Sequence, residues 1–221
     1  MSPILNKSQM SEEDSYRDNP SEHPIKPPEL REKPIVDANG CEVLIMGRTV
    51  SIYDTNGRLL RQENIVDYTR SNILGEYASL EQFIRRWTAD EKKTEIRNLL
   101  REKGVDLNTL KHDMGMDEVD DYDFICHIAY DKKPLTRRER ANNVKKRDFL
   151  SRYSGVAREV LEALLEKYKD VGIQEMEKTE VLQLDPFRKY GKPSRIASYF
   201  GGKEGYRHAV QELVCELYDA G

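Results

Sequence analysis

The residues that could do chemistry concentrate in two adjoining charged runs. Lys132–Arg147 holds eight lysines or arginines against one glutamate, and Asp117–Asp123, just before it, holds five acids and no base. A block of bases can grip an acidic protein surface or a nucleic-acid backbone, or it can be a solvated face paired with nearby acids. The candidate contact residues are Arg137, Arg138, Arg140, Lys145, Lys146 and Arg147. They cannot all share one helix face, because Ala141, Val144 and Phe149 must point inward. Arg137 and Arg140 fall on one ridge, Arg138 and Lys145 on another. No aromatic residue is interleaved with these bases, which argues against stacking on single-stranded bases. Three readings stand together here: a face paired with acids 117–123, contact with an acidic protein, and contact with phosphates.

The catalytic patterns in the chain fail on context. Gly191-Lys192-Pro193-Ser194 lacks the upstream glycine of a phosphate loop, and its proline replaces a needed amide. Asp117-Glu118-Val119-Asp120 has the form of a D-E-x-D box, but Met114-Gly115-Met116 precedes it where a buried strand is required. Its acids fit the positive end of a helix dipole. Glu91-Lys92-Lys93 matches an E-x-K nuclease fragment, yet it falls in the first turn of an expected helix and not on a strand. Cys126 and His127 are adjacent, and adjacent helical side chains diverge by about 100°, a poor chelating arrangement. No nucleophile elbow occurs. No catalytic, cofactor or metal residue is therefore expected.

The elements that must hold these residues are mostly helical. Thr136 and Glu139 form a capping box at the start of the basic helix, with Leu135 in the staple position. Ser79-x-x-Gln82 opens a helix with Leu80, Phe83, Ile84 and Trp87 on one stripe, and Thr88-x-x-Glu91 reads as a second box opening the next helix. Asp106, Asp120 or Asp121, and Ser154 are expected caps, and Asp185-Pro186 a cap followed by proline at the first helical position. The final helix spans about Lys203 to Tyr218. The β signal lies in 41–63, where Asn56-Gly57 predicts a type I′ hairpin. The fold class expected is mainly α: a multi-helix domain (64–221) with a small antiparallel β-meander (37–63) packed on it, 37–221 forming one folded unit. Six of the nine prolines lie in residues 1–36, which read as a disordered interdomain linker.

The totals set limits. Charged residues make up 34% and apolar ones 38%, so a core forms only if part of the chain stays outside it. A net charge of −4 argues against a dedicated nucleic-acid binder while leaving room for a local basic face. Three scattered cysteines suggest free thiols in a reducing cytoplasm. No apolar run approaches the roughly 20 residues that span a bilayer, and the first residues do not form a secretion signal.

Residues 37–221 resemble the C-terminal region of the R (restriction, motor) subunit of type I restriction enzymes. The segments carrying the resemblance are VSIYDTNGRLLRQENIVDYTRSNI, SLEQFIRRW, ICHIAYDKKPLTRRERAN, VLEALLEKYKDVG and YFGGKEGYRHAVQELVCELY, in that order, with PLTRRERAN the most specific. The resemblance implies a parent enzyme that is an ATP-dependent site-specific deoxyribonuclease using ATP and magnesium, with nuclease and translocase domains upstream. It implies a helical region that attaches the R subunit to a methyltransferase core of M and S subunits, with no cofactor of its own. DNA would be met through the complex or directly, and no membrane is involved. Two roles follow as expectations: a docking module, or a DNA-contacting module that guides duplex beside the motor through the basic helix 137–147.

Overall fold

The computed structural model describes residues 35–37, 39–89 and 92–219. A four-stranded antiparallel sheet comes first, with strands β1 (Ile35–Val36), β2 (Glu42–Met46), β3 (Thr49–Tyr53) and β4 (Leu59–Asn64) in sequence order. Val43 pairs with Ile52 and Ile45 with Val50. Alternation then puts Val43, Val50 and Ile52 on one buried face. β1 is made of the two residues expected at the end of the linker. The rest of that linker, residues 1–34, lies outside the described residues.

The turn joining β3 to β4 differs from the hairpin expected at Asn56-Gly57. Asp54 closes a longer loop: its N–H donates to the Arg58 carbonyl, and its Oδ1 accepts from the N–H groups of Asn56 and Arg58, each at 2.9 Å. A side chain that hydrogen-bonds its own downstream backbone stabilises such a turn. A two-residue turn, Gly47-Arg48, joins β2 to β3, and Gly47 takes φ +57° there.

Helices follow: α1 (Ile65–Glu76), α2 (Leu80–Thr88), α3 (Lys92–Glu102), α4 (Leu107–Asp113), α5 (Asp121–Tyr130), α6 (Arg137–Lys145), α7 (Gly155–Val171), α8 (Ile173–Glu177), α9 (Pro193–Ser198) and α10 (Lys203–Tyr218). Ser79, Asp106, Asp120 and Thr136 cap their helices through side-chain oxygens. At Thr136 the box is complete in both directions: Glu139 N–H donates to the Thr136 hydroxyl, and Glu139 Oε2 accepts from the Thr136 N–H at 2.8 Å. Other expected caps are absent. Thr88 is the last residue of α2, and its hydroxyl donates to the Ile84 carbonyl; Glu91 lies outside the described residues. Ser154 precedes α7 without a capping hydrogen bond. Pro186 sits one position before a short 3-10 turn, Phe187–Tyr190, and it is Pro193 that occupies the first turn of a helix, α9.

The apolar stripes meet in one core. α1 packs on α5 and the sheet, α2 on α3 and α10, and α7 on α6 and α8. Phe83, Trp87, Ile96, Leu100, Val160, Leu161, Leu164, Tyr168, Leu213 and Val214 are all buried. Gly104 ends α3 at φ +80°, and a Cβ there would collide with the side chains of Ile35 and Ile45. Glycine at this position supplies the left-handed φ at the end of α3 and leaves room there for the tips of the two isoleucines. The architecture is the expected one, mainly α with a small antiparallel sheet at its N-terminal side. Among the described residues no helix is long and apolar enough to cross a membrane.

Candidate functional site

The two charged runs lie side by side. Val119 and Thr136 form an isolated antiparallel bridge, and Arg137 N–H donates to the Glu118 carbonyl at 2.9 Å. The acidic start of α5 is thus stitched to the basic start of α6. Capping at Asp120 and Thr136 fixes where each helix begins, and with it which acids and bases face one another.

Three aspartates of this junction are buried, each held differently. Asp120 caps α5 by accepting from the Tyr122 N–H at 2.8 Å, and it accepts from the Tyr168 hydroxyl at 2.7 Å. Asp121 accepts from Arg97 Nε of α3 at 2.7 Å and from Lys111 Nζ of α4. Burial pushes its carboxyl up, but the charges of Arg97 and Lys111 outweigh that and hold it below the ordinary value. Asp123 takes both prongs of Arg140, through Nε and, at 2.9 Å, Nη2. The Arg140 guanidinium lies over the rings of Tyr122 and Tyr218, 4.7 and 5.2 Å from their centroids, and also donates to the Leu217 carbonyl. Burial disfavours its charge, yet the Asp123 hydrogen bonds and charge reverse this and raise its pKa.

The six basic candidates therefore part company. Arg140 is buried and ties α6 to α5 and α10, so it is no surface contact; the expectation of an outward role fails at this residue because Asp123 faces it from the neighbouring helix. Arg147 reaches α10, donating to the Glu216 carbonyl at 2.9 Å and to its carboxylate at 3.1 Å. Arg137 is half-buried and donates to the carbonyls of Asp117 and Lys169 at 2.9 and 3.2 Å. Lys145 pairs with Glu166 of α7 at the surface. Arg138 and Lys146 are exposed, and neither meets a carboxylate among the described residues. Ala141, Val144 and Phe149 point inward as expected. Leu135 has Arg140 at the position where a staple partner would stand, so no apolar staple forms.

Arg97 and Lys111 were not singled out from the sequence. Each sits beside a core residue, Ile96 and Leu110, at helical spacing from Leu100 and Leu107. A cation flanked so closely by an apolar stripe was the available signal. Beside them opens a cleft of about 240 Å³ whose lining includes Arg97, Asn108, Lys111, Arg137 and Gln174. Among the described residues no group of three or more His, Cys, Asp or Glu side chains is arranged to hold a metal ion. Burial pushes the Cys126 thiol up to about 12, so it is no nucleophile at neutral pH.

Comparison with known proteins matches residues 63–218 to the family described as EcoEI R protein C-terminal. The chain belongs to the EcoEI R protein C-terminal family. That match takes in every described helix of the EcoEI R protein C-terminal fold and the whole buried junction, and it leaves β1 to β3 outside. The chain is also similar to the Type I restriction enzyme EcoAI endonuclease subunit of Escherichia coli, with 42% identity over 194 residues, covering 86% of this chain and 24% of that protein. It thus spans about a quarter of the length of the curated relative it matches. No solved structure matches. As a member of this family, the chain is a C-terminal part of a type I restriction enzyme R subunit.

Proposed function

We propose that this chain is the assembly module of a type I restriction endonuclease, docking an R subunit with ATP-dependent translocase and nuclease activity onto a methyltransferase core of M and S subunits. The observation that carries this reading is the division of the basic run on α6. Arg140 and Arg147 point inward and fix the helix to α5 and α10, while Arg138, Lys145 and Lys146 remain on its outer side. A helix anchored on one face and polar on the other presents a rigid rim that orients a protein partner and steers its approach. On α6 and at its C-cap, Arg138 and Lys146 are the exposed cations that meet no carboxylate among the described residues, and the chain as a whole is acidic. That balance favours a protein rim over a duplex track, which needs many phosphate contacts.

The test is capture of a purified methyltransferase core by this chain, with and without DNA. Reversing Arg138 and Lys146 to Glu is expected to weaken capture about tenfold in both conditions, corresponding to about 1.4 kcal/mol. Surviving capture with weakened DNA affinity would replace docking by the second role, guiding of duplex through the same residues. Reversal at Arg140 is unsuitable, because it tests the fold and not the surface.

A further inference from the structure

We propose that the cleft walled by Arg97, Lys111 and Arg137 receives a single carboxylate, the tip of a glutamate or aspartate side chain on a partner protein. This deepens the docking reading and rests on it for the partner, though not for the existence of the site.

The argument begins with charge. The lining carries three cations, Arg97, Lys111 and Arg137, against two carboxylates, Asp120 and Asp121. Both carboxylates are engaged inside the protein: Asp121 by Arg97 and Lys111, Asp120 by the Tyr122 N–H and the Tyr168 hydroxyl. The lining is left with one net positive charge, and Arg137 is the cation in it that meets no carboxylate. Its Nε and Nη1 donate to neutral carbonyls, of Lys169 and Asp117, and no carboxylate meets it among the described residues. The guanidinium is thus held in place while its charge is unmatched and its Nη2 has no acceptor among the described residues. Ordering a long side chain is part of the cost of most binding events, and here two carbonyls have already done it.

The rest of the lining suits the tip and stem of an acidic side chain. Asn108 and Gln174 are exposed at the rim and make no hydrogen bond among the described residues, so both offer amide N–H groups. Val171, 42% exposed, stands beside them as an apolar surface for methylenes. A volume of about 240 Å³ holds a side-chain tip with some water, each water taking roughly 30 Å³. A duplex phosphate fits less well: it is flanked by sugars on both sides and brings further negative charge at close spacing, whereas the cleft is recessed and has one charge to offer.

The test uses butyrate, which carries the carboxylate and methylenes of a glutamate side chain, titrated into the whole chain at constant ionic strength and followed by backbone amide NMR. Saturable shifts at Asn108, Gly172 and Gln174 are expected. Gln174→Glu, which sets an exposed carboxylate at the rim beside Arg137, is expected to weaken butyrate at least fivefold without disturbing the fold, and Arg137→Gln to do the same. The proposal is overturned by the absence of saturable shifts, by either variant binding butyrate as tightly as the unaltered protein, or by inorganic phosphate binding this cleft more tightly than butyrate. Failure here would leave capture of the methyltransferase core untouched. Failure of that capture alongside butyrate binding would remove the docking reading and keep the site.

Discussion

Arg140 and Asp123 close a two-pronged ion pair at the centre of the protein, 2% and 4% exposed, in which one arginine of α6 fixes α5 from the side. Removing one partner strands the other charge away from water. Arg140→Ala is expected to cost about 3–5 kcal/mol in urea denaturation. Arg140→Met combined with Asp123→Leu should recover most of that loss, since a buried pair is readily replaced by apolar groups of similar volume. A double variant no better than Arg140→Ala would mean that the ring contacts with Tyr122 and Tyr218 matter more than the pair.

Trp87 is fully buried, with Phe83, Tyr122 and Tyr218 around it at ring-centroid distances of 5.6, 5.9 and 6.0 Å. Trp87→Ala is expected to cost on the order of 3–5 kcal/mol by the same measurement. Its indole N–H meets no acceptor among the described residues. Trp87→Phe therefore sheds an unsatisfied donor along with part of the ring, and should cost clearly less than Trp87→Ala.

Acid should loosen the junction through Asp121. Its folded pKa lies below the ordinary value near 3.8, because Arg97 and Lys111 favour the charged form. A carboxyl depressed in the folded state adds stability that is fully present above its unfolded pKa and is lost as pH falls through the folded one. Melting temperatures measured from pH 7 downward should therefore fall below about pH 4. Asp121→Asn, destabilised already at pH 7, should show a shallower fall over the same range.

The capping box of α6 offers a smaller and more local test. Thr136→Ala removes the hydroxyl that accepts from the Glu139 N–H, and should cost about 1 kcal/mol. Glu139 keeps the backbone N–H of residue 136, the larger of the two influences that lower its pKa, and loses the Thr136 hydroxyl, the smaller one. Carbon-detected NMR titration of Glu139 should then show its pKa rising in the variant, towards that of an ordinary glutamate.

Much of the scaffold was legible because it follows local rules. The stripe Leu80, Phe83, Ile84 and Trp87 announces α2, and Thr136 with Glu139 announces α6. The misses have a common physical cause. Whether a charged residue on a helix faces water or a counter-charge depends on the neighbouring helix, which a one-dimensional pattern does not contain. Arg140 reads like Arg138 in the sequence, yet one is buried on Asp123 and the other is exposed. The pairing of the basic helix with acids 117–123 was one of the open readings, and the packing of α6 on α5 realises it at Asp123; the partners of Asp121, Arg97 and Lys111, come from α3 and α4, which no local pattern marks. Thr88 failed in another way: a hydroxyl near a helix junction can serve the helix before it as well as the one after, and here it bonds back to Ile84.

The buried junction also orders events in time. Tyr218 and the Leu217 carbonyl both come from α10 and complete the surroundings of Asp120 and Arg140. These contacts span 98 and 77 residues of chain, and α10 is the last of the described elements to be synthesised. Until it arrives, a nascent chain carries α5 and α6 with their charges brought together but one side open to water. Closing such distant contacts is slow relative to forming local helices. The centre of this domain is therefore sealed last, and a growing polypeptide passes through a stage in which its most polar interior faces the solvent.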